Sequence, residues 1–312
     1  MESAFHDRQH TLPPGLIPAT VVPMTAGGDV DWAQLGRYLR EVAAAGPAAL
    51  AVTADTGEVL HLTPAEQYRV VALAKAETGL PIVAGLPAAG DGRPSDAVAT
   101  AVAHARALAA AGADALLVFP DGAGGDAVVA YHRAVGDAGL PLIAFQLQPA
   151  LGGVIYRPDV LARLLDLDAV VALKEASFDR DIFEATAAIA GVAGICLLTG
   201  NDNFILDSFE LGAQGALLGF GALLTAPQVA MIDAWNAGRG DEARRLGTPL
   251  QRLADVIFAP PLGDYRARLK ECLVMLGLLD AAHVRPPLRG VDDAERGRLR
   301  RALHDAQLAV AA

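Results

Sequence analysis

Lys174 is the residue in this chain best placed for covalent chemistry. It closes the run VVALKEAS, with four apolar residues before it. An ammonium group in such surroundings is desolvated, which moves its pKa toward the neutral amine a nucleophile needs. A neutral lysine can form a Schiff base with a ketone. The competing reading is a structural pair with Glu175 or another acid. Lysine occurs elsewhere only at 75 and 270, the other basic residues being arginine. Both of those lysines sit in helical patterns beside polar residues and read as surface groups. A second candidate is TADTGE, Thr53 to Glu58. Gly57 permits a tight turn there, and the polar run can aim hydroxyls and backbone N–H groups at a ligand. An ordinary strand-to-helix turn is the plainer reading. The seven histidines, at 6, 10, 61, 104, 132, 283 and 304, form no HxH or HExxH pair. Cys196 and Cys272 lack a CxxC partner. The patterns therefore offer no zinc site, no GxSxG elbow and no phosphate loop.

These side chains need elements to hold them. Apolar runs at 17–22, 50–53, 81–85, 115–119, 141–145, 170–174, 195–199 and 215–218 read as strands. Helical patterns lie between them, at 31–45, 63–78, 94–111, 126–138, 158–165, 180–189, 202–211 and 227–237. The second opens with a capping box, Thr63 with Glu66 three residues on. Strands that are nearly continuous in apolar residues and alternate with helices indicate a parallel sheet. Eight such units predict an α/β fold, a (β/α)8 TIM barrel over 12–238 with the active site at the C-terminal ends of its strands. An open doubly wound sheet is the other arrangement, but VVPMTAGGDV after the first strand has no GxGxxG. The remaining 239–312 reads as a C-terminal helical domain, with helices at 241–257, 265–278 and 292–309.

The chain has 312 residues, 53% apolar and 20% charged, enough to bury a sizeable core. Its net charge is −11, with no basic block, so nucleic acid is excluded as a partner. The uncharged stretch Leu211 to Ile232 holds a proline and four glycines. It breaks into strand, loop and helix rather than forming a membrane span. MESAFHDRQH lacks the apolar core of a signal peptide, and two isolated cysteines suit a reducing, cytoplasmic compartment.

Taken together, these segments resemble the dihydrodipicolinate synthase / N-acetylneuraminate lyase superfamily of class I aldolases. The likeness starts at GLIPATVVPMTAGGDVDWAQL and continues through TADTGEVLHLTPAEQYRVV, similar to G-T-T-G-E…L-s-x-x-E. VVALKEAS looks like the Schiff-base segment G-x-K-[ED]-x-[ST]. TGND is similar to s-G-[DN]-D, LGAQGALLG to G-A-x-G-x-I-S, and YRARLKECLVMLGL…VRPPLRG to the family's helical tail. The resemblance implies a barrel with a helical tail, no cofactor and no metal, and a homo-oligomer, tetramer or dimer. It implies a small-molecule carbonyl substrate held as an imine of Lys174. Thr56 and Gly57 are then expected to present donors to the ligand, with Gly200 and Leu217 lining the pocket.

The departures are as informative. Phe145 stands where the family has a catalytic tyrosine, and Asp55 where it has the first of two threonines. The arginine that binds the second substrate's carboxylate in dihydrodipicolinate synthase falls at about Ala150. The tyrosines that follow VFP give way to DGAGGD. The expected activity is thus a Schiff-base lyase, aldolase or dehydratase, on a 2-oxo acid or related carbonyl compound, and not true dihydrodipicolinate synthase. A catalytically silent homologue that binds a small molecule or partner protein is the alternative. Asp55 is expected to replace the lost phenol as proton relay, its pKa pushed up by Phe145; a plain turn cap is the structural alternative. An ionised Asp55 at about 4 Å would repel a substrate carboxylate by roughly 4 kcal/mol at an effective dielectric near 20. So either Asp55 is protonated when substrate binds, or the substrate offers a hydroxyl or amine there.

Overall fold

The computed structural model describes residues 15–87, 95–120 and 124–311. Eight parallel strands form one sheet: β1 (Leu16–Pro18), β2 (Leu50–Val52), β3 (Ile82–Leu86), β4 (Ala115–Val118), β5 (Leu142–Leu147), β6 (Val170–Ala176), β7 (Cys196–Thr199) and β8 (Gly215–Leu218). β1 pairs with β8, and each later strand with its sequence neighbour. The seam between β1 and β2 is joined by an Ala19–Ala51 bridge and by the Thr20 N–H on the Ala51 carbonyl at 2.9 Å. The sheet is therefore a barrel, and the open doubly wound alternative falls.

Helices follow the strands: α1 (Trp32–Ala44), α2 (Pro64–Thr78), α3 (Ser95–Ala111), α4 (Gly125–Gly136), α5 (Pro158–Leu165), α6 (Arg180–Ala193), α7 (Ile205–Glu210) and α8 (Thr225–Asn236). The capping box of α2 is present, Thr63 with Glu66. Side chains alternate across each strand, which creates two apolar layers. Ile17, Ala51, Val83, Leu117, Ile143, Leu198 and Leu217 fill the barrel. Leu16, Leu50, Ile82, Leu116, Leu142 and Leu173 face the helices. Burial on both faces is why these strands read as unbroken apolar runs.

Several boundaries differ from expectation; the sixth helix, for one, runs on past 189 to Ala193. The first run leaves the sheet after Pro18 rather than Val22. The seventh helix starts at Ile205 rather than 202, because the side chains of Asn201 and Asp202 are spent elsewhere, on Glu175 of β6 and on the Phe220 N–H in the turn past β8. Beyond the barrel come α9 (Gly240–Ile257), α10 (Tyr265–Met275) and α11 (Asp293–Ala311). α10 stops short of 278 at Gly277, whose φ of 72° suits glycine at a helix end. The uncharged stretch 211–232 begins just past α7 and takes in β8 and the first two-thirds of α8. Among the described residues no helix is long and apolar enough to cross a membrane.

Candidate active site

The turn after β2 is built under constraint. Thr53 and Glu58 take φ values of 50° and 58° on either side of Asp55, Thr56 and Gly57. A β-branched residue in that region is strained and needs surrounding structure to hold it. Gly85 on β3 supplies the room, since a Cβ there would lie 2.1 Å from the Thr53 carbonyl oxygen. The Gly57 N–H is taken by the Ala54 carbonyl at 3.0 Å, so Gly57 contributes the turn itself and not a free donor. Glu58 is fully buried and ion-paired with Lys270, which also donates to the His283 carbonyl at 2.8 Å. Lys270 was expected on the surface; it is instead completely buried. Burial pushes its pKa down, against the pull of Glu58. Lys75, expected exposed, is partly buried against Asp114.

Lys174 points into the barrel mouth from β6 and is 7% exposed. Glu175, the next residue, faces the other way. It accepts from the Ser177 N–H at 2.9 Å and from Asn201 Nδ2 at 2.6 Å. Among the described residues no carboxylate forms an ion pair with the Lys174 amine. Its Nζ sits 4.3 Å from the centre of the Phe145 ring, a cation–π contact. Burial lowers its pKa from 10.5 to about 8, with the charges of Asp202 and Asp55 pulling the other way. Gly200 clears the lysine's path: a Cβ there would stand 2.6 Å from Lys174 Cε.

Asp202 was not singled out in the sequence, although TGND contains it. Its Oδ1 accepts the Phe220 N–H at 2.9 Å. Burial raises its pKa from 3.8 to about 7, against backbone donors and the Lys174 charge. A carboxylate two residues past the end-of-strand glycine was the available signal.

Asp55 is met from the far end of the chain. Tyr265 O–H lies 2.8 Å from Asp55 Oδ2 and 3.3 Å from Thr56 Oγ1. Arg266 donates Nε–H to the Asp55 carbonyl at 2.7 Å and pairs through Nη2 with its carboxylate. The expected neighbour, Phe145, lies beneath Lys174 instead. Nor does the Asp55 side chain cap its own turn; its carboxylate is spent on Tyr265 and Arg266. Tyr265 stacks on Phe258 at 4.8 Å. Neither Tyr265 nor Arg266 carries a signal in the sequence, because α10 lies outside the strand–helix repeat. Leu217 is a fully buried barrel residue on β8, level with Ile17. The first half of DGAGGD, 121–123, lies outside the described residues, and its second half leads into α4. Among the described residues no group of His, Cys, Asp or Glu could hold a metal ion.

The Dihydrodipicolinate synthetase family model matches residues 12–306. A 4-hydroxy-tetrahydrodipicolinate synthase of Hyphomonas neptunium is 32% identical, over 95% of this chain and 98% of its own. An uncharacterized DapA-like lyase of Halobacterium salinarum is 28% identical, over 94% of each chain. Among solved structures, the chloride-inhibited dihydrodipicolinate synthase of Acinetobacter baumannii, complexed with pyruvate, superposes with a TM-score of 0.82. It is 25% identical, over 94% of this chain and 99% of its own.

Proposed function

The chain belongs to the dihydrodipicolinate synthetase family, and from that premise we propose that it is a Schiff-base lyase, an aldolase or dehydratase, acting through Lys174 on a 2-oxo acid or related carbonyl compound. One observation carries the reading. Lys174 is buried at the barrel mouth, free of any ion pair among the described residues, and lowered to about 8. Its neutral amine attacks the carbonyl carbon, and the carbinolamine loses water to give an iminium ion. The iminium withdraws electrons from the adjacent carbon. A bond to that carbon can then break, leaving its electron pair in the enamine. Asp202, near 7, is suited to hold and return the proton at working pH. A silent binder would be expected to lock the lysine in an ion pair.

Borohydride trapping with a panel of 2-oxo acids, followed by peptide mass mapping, tests this reading. An adduct at Lys174 is expected; none with any compound would overturn it.

The reaction is not the true synthase condensation. Phe145 has no phenol to move protons, and Ala150 lies in the short turn Pro149–Leu151, with no guanidinium for a second substrate's carboxylate. Robust condensation of pyruvate with aspartate semialdehyde by the purified protein would refute this.

A further inference from the structure

Phe145 and Lys174 are cross-strand neighbours, paired in register on β5 and β6. Residues paired in this way lean to the same face of a sheet, so both side chains enter the barrel. The ring is fully buried, and Phe119, just past β4, meets it edge to face at 5.4 Å and 85°. A core ring packed like this keeps its orientation. Its face is turned to the lysine nitrogen, which lies 4.3 Å from the ring centre.

Imine chemistry makes a particular demand at that nitrogen. Amine, ketone and one proton give an iminium ion and water, so a nitrogen that enters the reaction neutral becomes positively charged. The charge has to persist, because the iminium is the form that withdraws electrons strongly from the adjacent carbon. Loss of its N–H proton gives a neutral imine and a much weaker sink. A carboxylate in contact with the nitrogen would balance the charge but could also take the proton. The face of a benzene ring is negative and offers no site for a proton. It stabilises the cation without discharging it. Among the described residues no carboxylate is ion-paired with this nitrogen, and the ring is the group over it. Lys174 is nearly out of water, and desolvation strengthens a cation–π contact.

We propose that Phe145 is a catalytic residue whose ring holds the positive charge on the Lys174 nitrogen in the iminium and leaves proton movement to Asp202. This rests on the Schiff-base reading of Lys174 and gives a task to a residue that the reading itself leaves idle.

The test places mono-, di- and trifluorinated phenylalanine at position 145, which keeps the shape of the ring while draining its face of electron density. Pyruvate and acetone, each labelled with carbon-13 at the carbonyl carbon, are the probes. NMR of the labelled carbon follows each adduct from iminium to neutral imine as pH rises. The midpoint of that change is expected to fall with each added fluorine, reaching roughly one pH unit with three. Phe145→Leu, apolar but without a π face, should lower it as far. Both probes should give the same order, because the contact is to the nitrogen and not to the substrate. The charges of Asp202 and Asp55 act on the same nitrogen, but they are common to every variant and cancel in the comparison. A midpoint that stays in place through the fluorinated series, with adducts still forming, is what a merely structural ring would give, and would overturn this inference alone. No adduct signal in wild type with either probe would overturn the Schiff-base reading beneath it.

Discussion

Burial lowers Lys174 to about 8 and raises Asp202 to about 7. Each shift opposes folding over a definite pH range. Between about 8 and 10.5 the unfolded chain holds the lysine proton and the native chain does not, so this group's contribution to stability rises with pH. Below 8 its burial penalty is fully present. For Asp202 the native chain holds the extra proton between 3.8 and about 7, so its contribution falls as pH rises through that range. Lys174→Met should therefore stabilise the protein by roughly 1–3 kcal/mol at pH 7 while abolishing the adduct. Urea unfolding at pH 7 and again above 10.5 checks the sign, because the gain should shrink where the wild-type lysine is neutral. Asp202→Asn removes a charge that holds the lysine pKa up. The rate of Lys174 trapping should then begin its alkaline rise at lower pH, and turnover should fall roughly 100-fold. Lys174 was legible in sequence because its apolar approach and its rarity isolate it. Asp202 was in view inside TGND but is a plain acid by composition. Tyr265 and Arg266 gain their roles only from where α10 docks, which no local pattern encodes.

β6 and the turn after β2 do the positioning. On β6, alternation sends Lys174 inward and Glu175 outward, so neighbours in sequence serve different layers. Gly200 after β7 sits against the lysine stem. Gly200→Ala is expected to push the amine from its place and to slow trapping at least tenfold, and to lower the melting temperature as well, since the new methyl group would also stand 2.8 Å from Ala176 Cβ and 3.1 Å from the Glu175 carbonyl oxygen. The Glu58–Lys270 pair ties the turn to α10. Lys270→Met would leave a buried uncompensated carboxylate and should cost about 3–5 kcal/mol. Glu58→Gln combined with Lys270→Met should recover much of that loss in denaturant unfolding. Strand and helix order followed from the apolar periodicity, and the α2 cap from Thr63 and Glu66. The seventh helix starts late because Asn201 and Asp202 have side-chain partners on β6 and in the turn past β8, which periodicity cannot register. Lys270 looked like a surface residue for the same reason: its partner lies 212 positions away.

The barrel was legible as a whole because eight similar units repeat. The docking of the tail was not, since it depends on single polar contacts rather than on a repeat. We expect the chain to self-associate as a tetramer or dimer; light scattering at micromolar concentration that shows only a 32.2 kDa species would refute this. The span between Asp55 and Arg266, 211 positions, also has a meaning in time. A ribosome adding about 5–20 residues per second takes on the order of ten seconds or more to cover it. Throughout that interval the nascent chain carries both acids of the turn, and over its second half Lys174 as well, but neither Arg266 nor Lys270, which pair with Asp55 and Glu58. The turn beside Lys174 is thus held in its final contacts only once α10, in the last quarter of the chain, has been made. A truncated translation product that ends before α10 would carry Lys174 and both acids of the turn without the contacts that α10 brings to them.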